Sequence, residues 1–409
     1  MQKIIVEKPY QFVRPYSSAW WPWFFRTIRL HAYYLWRSEG VTKYEVRHIE
    51  RLQASLAAGH SILITPNHPR TADPLAMGWL TVLAPCHFWV MASWHLFQHG
   101  WIHRFALRAM GSFSVNREGV DRQAINLAID KLAAAERPLI IFPEGATSRT
   151  AGKLHALLDG VAFIARTAAK KRAKQTPPGK VVIHPVAVKY FYSGDIREAA
   201  DDVLTEIEQR LTWQPQRELP LLQRIVKVGS ALLSLKEIEY LGQPQSGPLA
   251  GRMSGLIDRL LGPIETQWMG AIQAGHVVGR VRSLRTRILP DMVEGRCTPA
   301  ERARRWQQLG DIYLAQQISA YPPDYLARPT AERVLEMIEK FEEDITDKAR
   351  LHGNLKVVLI VGEPIEVSSE RDRRAEVDPL MVQIRQSLEA MMGELAKEAT
   401  PFVQAVARP

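Results

Sequence analysis

Short apolar runs alternate with amphipathic stretches between about residues 60 and 192, the rhythm that βαβ units produce. Ile62–Thr65, Phe88–Met91, Ser112–Val115, Leu139–Phe142 and Val181–Phe191 read as strands. A helix from near Val120 to Ala135 puts Ala124, Ile125, Ala128, Ile129 and Leu132 on one face, and a second after Lys153 carries Leu157, Val161, Ile164 and Ala165. Pro185 interrupts the last strand, which signals an edge or a bulge. From about 196 to 352 the chain turns to long, polar, helical segments. There Thr298-Pro299-Ala300-Glu301 reads as a capping box with proline at the first helical position, and Val334, Ile338 and Phe341 mark another amphipathic helix. Lys356–Val361, followed by Gly362-Glu363-Pro364-Ile365, returns to strand character and rejoins the first sheet, and a helix from about Asp378 to Ala396 closes the chain. No internal repeat or low-complexity tract stands out. The pattern predicts an α/β fold, a mixed sheet flanked by helices with a large helical insertion. Its segments are 1–45, 46–195, 196–352 and 353–409.

The first segment changes the picture. Trp20-Trp21-Pro22-Trp23-Phe24-Phe25-Arg26, continuing through Arg29, His31, Tyr33, Tyr34, Trp36 and Arg37, interleaves aromatic rings with cations. Amphipathic rings and arginines both favour the headgroup layer, and Arg26 and Arg29 are costly in hydrocarbon, so the segment reads as lying on a membrane, with an aromatic helix packed on the body of the protein as the equally open alternative. Trp79 to Phe97 lacks formal charge, but Pro85, His87 and His95 break it, and it fits a buried helix followed by a core strand. The opening MQKIIVEKPY is charged and interrupted, unlike a cleavable signal. Peripheral attachment at the cytoplasmic face is the expectation. A formal charge of +10 attracts polyanions, and without a helix-turn-helix, zinc or RNA-binding signature nucleic acid is excluded in favour of lipid headgroups. Two cysteines, Cys86 and Cys297, lack the spacing of a disulfide framework or a metal site.

The candidate chemistry lies at strand exits. In Asn67-His68-Pro69-Arg70-Thr71-Ala72-Asp73, His68 and Asp73 follow an apolar strand with four residues between them. Acyl transfer to an alcohol needs a base for the hydroxyl proton; histidine titrates in the right range, and a carboxylate can fix its tautomer. Here the acceptor's own hydroxyl is the nucleophile. A capping aspartate before Pro74 is the structural alternative, and the spacing alone recurs by chance. Three further segments follow in order. Gly111 to Arg117 ends a strand with Asn116 and an arginine suited to clamping a phosphate. Phe142-Pro143-Glu144-Gly145 is followed by Ala146-Thr147-Ser148-Arg149, where N–H groups, hydroxyls and Arg149 suit an anion. Ile183-His184-Pro185 comes last.

Together these blocks resemble the lysophosphatidic acid acyltransferase-like family of glycerolipid acyltransferases, over about residues 50 to 192. The resemblance implies His68 as base, Asp73 as its partner, and Arg117, Glu144 and Gly145 in binding a phosphate-bearing acceptor. It implies a lysophospholipid or related acceptor among membrane lipids and acyl-CoA or acyl carrier protein as thioester co-substrate, with no other cofactor and no metal. Pro69, Arg70, Asn116, Ala146, Thr147 and Arg149 complete the candidate substrate site. Family members often carry Thr-Arg-Ser after the third-block glycine, where this chain has Ala146-Thr147-Ser148 with the arginine displaced to Arg149. Many have lysines where Ser93 and Asp159 stand here. Fewer cations imply a less anionic acceptor, with Arg70 as the residue to compensate. A serine hydrolase is disfavoured because no Gly-x-Ser-x-Gly elbow occurs. The remaining alternative is an inactive peripheral lipid-binding protein on the same fold. The sequence carries no signal for an oligomeric state.

Overall fold

Strands β1 (Val41–Arg47), β2 (Ser61–Pro66), β3 (Trp89–Ser93), β4 (Ser112–Val115), β5 (Leu139–Ile140), β6 (Val181–Ser193), β7 (Asn354–Val361) and β8 (Ile365–Glu366) form one mixed sheet in this computed structural model. The model describes residues 7–403 apart from 213, 322, 323, 372, 373 and 376, so the start of the charged opening, residues 1–6, lies outside the described residues. The strand order is β1-β7-β6-β2-β5-β3-β4, with β8 also against β6. β6, β2, β5, β3 and β4 are parallel and share one carboxyl edge, whereas β7 and β8 run antiparallel to β6 and β1 runs parallel to β7. Every residue of β2 is buried, as is β6 up to Tyr190, which is why these strands read as continuous apolar runs.

The helices of this part of the chain are α1 (Trp20–Thr27), α2 (Leu30–Glu39), α3 (Ile49–Ala57), α4 (Asp73–Ala76), α5 (Gly78–Leu83), α6 (Trp101–Ala109), α7 (Arg122–Ala134) and α8 (Gly160–Arg172). Ala128 and Leu132 of α7, Val161 and Ala165 of α8, and Ile384 and Leu388 of the last helix, Pro379–Lys397, pack with Leu63, Phe113, Leu139 and Ile183 of the sheet. Asp121 caps α7 by accepting the N–H of Ala124 at 2.9 Å. Gly111 enters β4 at φ 86°, where a Cβ would stand 2.3 Å from the Phe88 carbonyl, so glycine alone fits between β3 and β4. Cys86 and Cys297 are free thiols.

Four features depart from the sequence pattern. β1 was not visible, because Val41-Thr-Lys-Tyr-Glu-Val-Arg47 is an edge strand with largely exposed polar residues, and it crosses the boundary drawn at residue 45. β5 ends at Ile140 instead of Phe142, since the chain turns after Ile141, whose N–H bonds Ile64. The helix expected after Lys153 starts at Gly160, because Leu158 instead donates its N–H to the Pro143 carbonyl at 2.8 Å. Pro185 lies in an interior strand: its absent N–H falls where β6 changes partner from β8 at Val182 and Ile183 to β7 at Val186 and beyond.

Residues 10–193 and 353–399 make one compact unit; residues 7–9, 194–352 and 400–403 make a second. The second contains α9 (Ile196–Thr212), α10 (Leu221–Leu241), α11 (Leu249–Met269), α12 (Val277–Val293), α13 (Pro299–Ser319) and α14 (Ala331–Thr346); the last helix of the first unit is α15. Thr298 accepts the N–H of Glu301, but the Glu301 carboxylate pairs with Arg304 and Arg305, so only half of the expected capping box forms. An internal repeat is present after all. Glu208, Glu237 and Glu265 accept the backbone N–H groups of Gln216, Gln245 and Gln273 and pair with Arg224, Arg252 and Arg280, each in the first turn of the following helix. Each clasp closes one helical hairpin. The letters recur with the bonds, Gln214-Pro215-Gln216 returning as Gln243-Pro244-Gln245 and Gly242, Gly247 and Gly251 as Gly270, Gly275 and Gly279, but the Glu-to-Arg interval is one residue longer in the first copy, which blurs the period.

No helix among the described residues is long and apolar enough to cross a membrane. Large apolar side chains are nonetheless exposed on three short helices: Trp20 and Trp23 on α1, Tyr33, Tyr34 and Trp36 on α2, and Trp101, 78% exposed, with Ile102 on α6.

Candidate active site

The parallel strands deliver their loops to one edge, where open α/β sheets place ligands. His68 leaves β2 two residues after Pro66, and Asp73 opens α4. Asn67 anchors this exit: its side chain donates to the Val188 carbonyl at 3.1 Å and accepts the Val188 N–H at 2.7 Å, extending the β2–β6 pairing beyond the backbone ladder. Asp73 Oδ2 lies 2.8 Å from His68 Nδ1 and accepts the Arg70 N–H at 2.8 Å. A carboxylate there assigns the proton to Nδ1 and leaves Nε2 as the lone-pair nitrogen. Asp73 is fully buried and His68 is 9% exposed, so the acid is shielded while the ring keeps access. Asp73 is no capping residue; its side chain serves the histidine, the Arg70 amide and Tyr190.

The loop after β5 is stitched onto the same exit. Glu144, 3% exposed, accepts the His68 N–H at 2.7 Å and the His155 N–H at 3.0 Å, and burial pushes its carboxyl above the usual range. The N–H groups of Ser148 and Arg149 bond the carbonyls of His68 and Pro69, and that of Gly145 bonds Phe142. Gly145 has φ 70°, and a Cβ on it would come within 2.5 Å of Leu158, so the turn requires glycine. Arg149 also sits in the left-handed region at φ 60°, a conformation its bond to Pro69 helps to hold. Phe142 lies against the imidazole with ring centroids 4.2 Å apart. Thr147 Oγ1 is 3.5 Å from Nε2, a loose contact, and the N–H groups of Ala146 and Thr147 bond no other described residue.

Glu144→Gln would turn one of two accepting oxygens into a donor facing an N–H. We expect a stability loss of about 1.5–3 kcal/mol in urea titrations, together with a fall in activity as the exit loop loosens. Wild-type stability in that variant would show that Glu144 does not brace the loop.

Not every expected residue converges. Asn116 and Arg117 are half-buried in the loop after β4, where Asn116 donates its N–H to Asp121 and accepts the N–H of Glu118. β4 is three strands from β2, roughly 14 Å at the ordinary strand spacing. Arg117 therefore stands at the same edge of the sheet as His68 but three strands away. Arg70, expected to supply a pocket cation, is 7% exposed, 3.4 Å from Glu39 and 5.3 Å from the centre of the Tyr190 ring, so its charge is answered inside the protein. Ser93 holds His95, its Oγ 2.8 Å from Nδ1. His184 is fully buried between Ser55 and the Gly362 carbonyl at 2.9 Å each, and burial pulls its pKa down, which makes it a neutral structural histidine.

The sequence pattern missed Tyr190, whose hydroxyl donates to Asp73 Oδ1 at 2.7 Å, and Glu39, which ends α2 beside Arg70. Only the alternation of β6, which puts Val188 and Tyr190 on one face, hinted at the first. Among the described residues no group of His, Cys, Asp and Glu is arranged to hold a metal ion. No curated protein matches the chain as a relative. Residues 43–189 match the family model described as Acyltransferase, a span that begins in β1, ends in β6 and holds His68, Asp73, Arg117 and Glu144; this part of the chain is an acyltransferase-family domain, and acyl transfer is its reaction class.

Proposed function

We propose that the protein moves a fatty acyl group from a thioester, acyl-CoA or acyl carrier protein, to a hydroxyl of a lysophospholipid or related glycerolipid, with His68 as general base and Asp73 holding it. The observation that carries this is the 2.8 Å contact between His68 Nδ1 and the buried Asp73 carboxylate at the carboxyl edge of the parallel strands. The acceptor O–H gives its proton to Nε2 as its oxygen attacks the thioester carbonyl. The tetrahedral oxyanion then collapses, the carbon–sulfur bond breaks, and the departing thiolate takes the proton back from the imidazolium. The N–H groups of Ala146 and Thr147, which bond no other described residue, suit a developing negative charge, and Arg117 and Arg149 suit an acidic headgroup. Support for catalysis over an inactive lipid-binding role comes from Asp73, because an unused histidine has no need of a buried carboxylate at its inner nitrogen.

The acceptor reaches such a site from a lipid surface. Exposed Trp20, Trp23, Tyr33, Tyr34 and Trp36, interspersed with exposed Arg29 and Arg37, suit peripheral attachment to an anionic cytoplasmic leaflet. Trp21 packs edge-on against Phe105 at 4.9 Å, which joins α1 to α6 and its exposed Trp101. The test offers the full-length protein a panel of lysophospholipids, glycerol 3-phosphate and unphosphorylated alcohols, each with acyl-CoA and acyl carrier protein thioesters. Ester product and thiol are scored together. Ester with a lysophospholipid supports the reading, and transfer confined to non-lipid alcohols overturns it.

A further inference from the structure

Asp73 is held from two sides, and the sequence blocks account for only one. Oδ2 serves His68 and the Arg70 N–H, whereas Oδ1 accepts the hydroxyl of Tyr190 from β6, a residue 3% exposed. Asn67 bonds both the N–H and the carbonyl of Val188, so the register that sets Tyr190 under Asp73 is locked one turn of the pleat away. The charged groups around the tyrosine are Asp73 from α4, Arg70 from the exit loop and Glu39 from α2, and Glu144 from the loop after β5 faces His68. A buried carboxylate with one oxygen unbonded would be free to rock, and its full charge would bear on the imidazole. A hydroxyl on Oδ1 removes both freedoms.

We propose that Tyr190 is a positioning residue of the acyltransferase site: its hydroxyl fixes which Asp73 oxygen faces His68 and draws off part of the carboxylate charge. This rests on His68 as the base. Without that hydroxyl the whole carboxylate charge would bear on the imidazolium, so deleting it strengthens the hold on a proton at Nε2. Burial and the charge of Asp73 raise the phenol well above its ordinary value, so it remains a donor throughout the working range. Glu39, at the end of the aromatic helix α2, reaches the same network through Arg70.

Tyr190→Phe keeps the ring, its packing and the Arg70 contact and deletes only the hydroxyl. With palmitoyl-CoA and a 1-acyl lysophospholipid, the acid limb of kcat/KM is expected to move up by about one pH unit, so that the loss approaches about tenfold on the acid side of the limb and shrinks as the pH rises past it. KM for the acceptor should change less than about twofold, which a collapsed pocket would not spare. NMR titration of ring-labelled His68 reads the same upward shift without turnover, and in an Asp73→Asn background that shift should vanish. An unmoved acid limb, a loss equal at every pH, or the same NMR shift in the Asp73→Asn background each overturns the proposal. Full activity in His68→Ala would instead overturn the base itself, whatever Tyr190→Phe does.

Discussion

His68→Ala is expected to lose at least about 10³-fold in kcat/KM while the protein stays folded, because general-base catalysis supplies about 10²–10⁴ and no neighbour can replace it. Thr147 Oγ1, 3.5 Å from Nε2, is too weak a base at neutral pH. The substitution leaves Asp73 with the Arg70 N–H and the Tyr190 hydroxyl, so the buried carboxylate keeps partners and the structural cost is held to about 1–2 kcal/mol. Steady-state rates together with a thermal melt separate the two effects. Activity near wild type would remove His68 from the chemistry.

Asp73→Asn is expected to cost about 10²–10⁴-fold in kcat with a smaller effect on folding than on rate. Tyr190 makes this variant informative. A phenol hydroxyl both donates and accepts, so an asparagine can turn its NH₂ toward Tyr190 and keep its oxygen on the Arg70 N–H and on His68 Nδ1. The geometry survives and the charge is lost. The deficit then measures what the carboxylate does for the imidazolium, and it should be larger in kcat than in KM for either substrate. A variant that loses only affinity would show that Asp73 shapes the pocket without supporting the base.

The pairing of His68 with Asp73 was legible because its determinants are local: an apolar strand, a histidine at its exit and an aspartate five positions on. Glu144 was legible for the same reason, as the residue after an apolar run and a proline, although its acceptance of the His68 and His155 N–H groups was not. Tyr190 lies 117 residues from Asp73 in the chain, and only the β2–β6 pairing brings them together. The misreading of Pro185 has the same root. An edge signal in sequence is an absent donor in space, and here the absence falls between two partner strands. Arg70 looked like a pocket cation because Glu39, its partner, lies in a segment that reads as surface. In the second unit the Glu–Arg clasps recur together with matching Gln-Pro-Gln and glycine positions, so the repeat lies in the letters as well as in the bonds, at a period that shifts by one residue between copies.

The displaced arginine acquires a physical meaning from the loop geometry. Ser148 and Arg149 use their N–H groups to tie the third block to His68 and Pro69, so the backbone of this block is structural where the sequence suggested an anion cradle. Ala146 and Thr147 are the positions whose N–H groups remain uncommitted.

Central to this account is direct transfer: the acceptor hydroxyl, deprotonated by His68, attacks the thioester, and no side chain carries the acyl group. A single-turnover experiment tests this most directly. Full-length protein in excess is mixed with radiolabelled palmitoyl-CoA, first alone and then with a lysophospholipid, and free thiol, ester product and protein mass are followed together. The predicted result is no burst of thiol and no acylated protein without acceptor, then thiol and ester appearing at equal rates once acceptor is added. A stoichiometric thiol burst without acceptor, accompanied by an acyl-protein adduct, would contradict it.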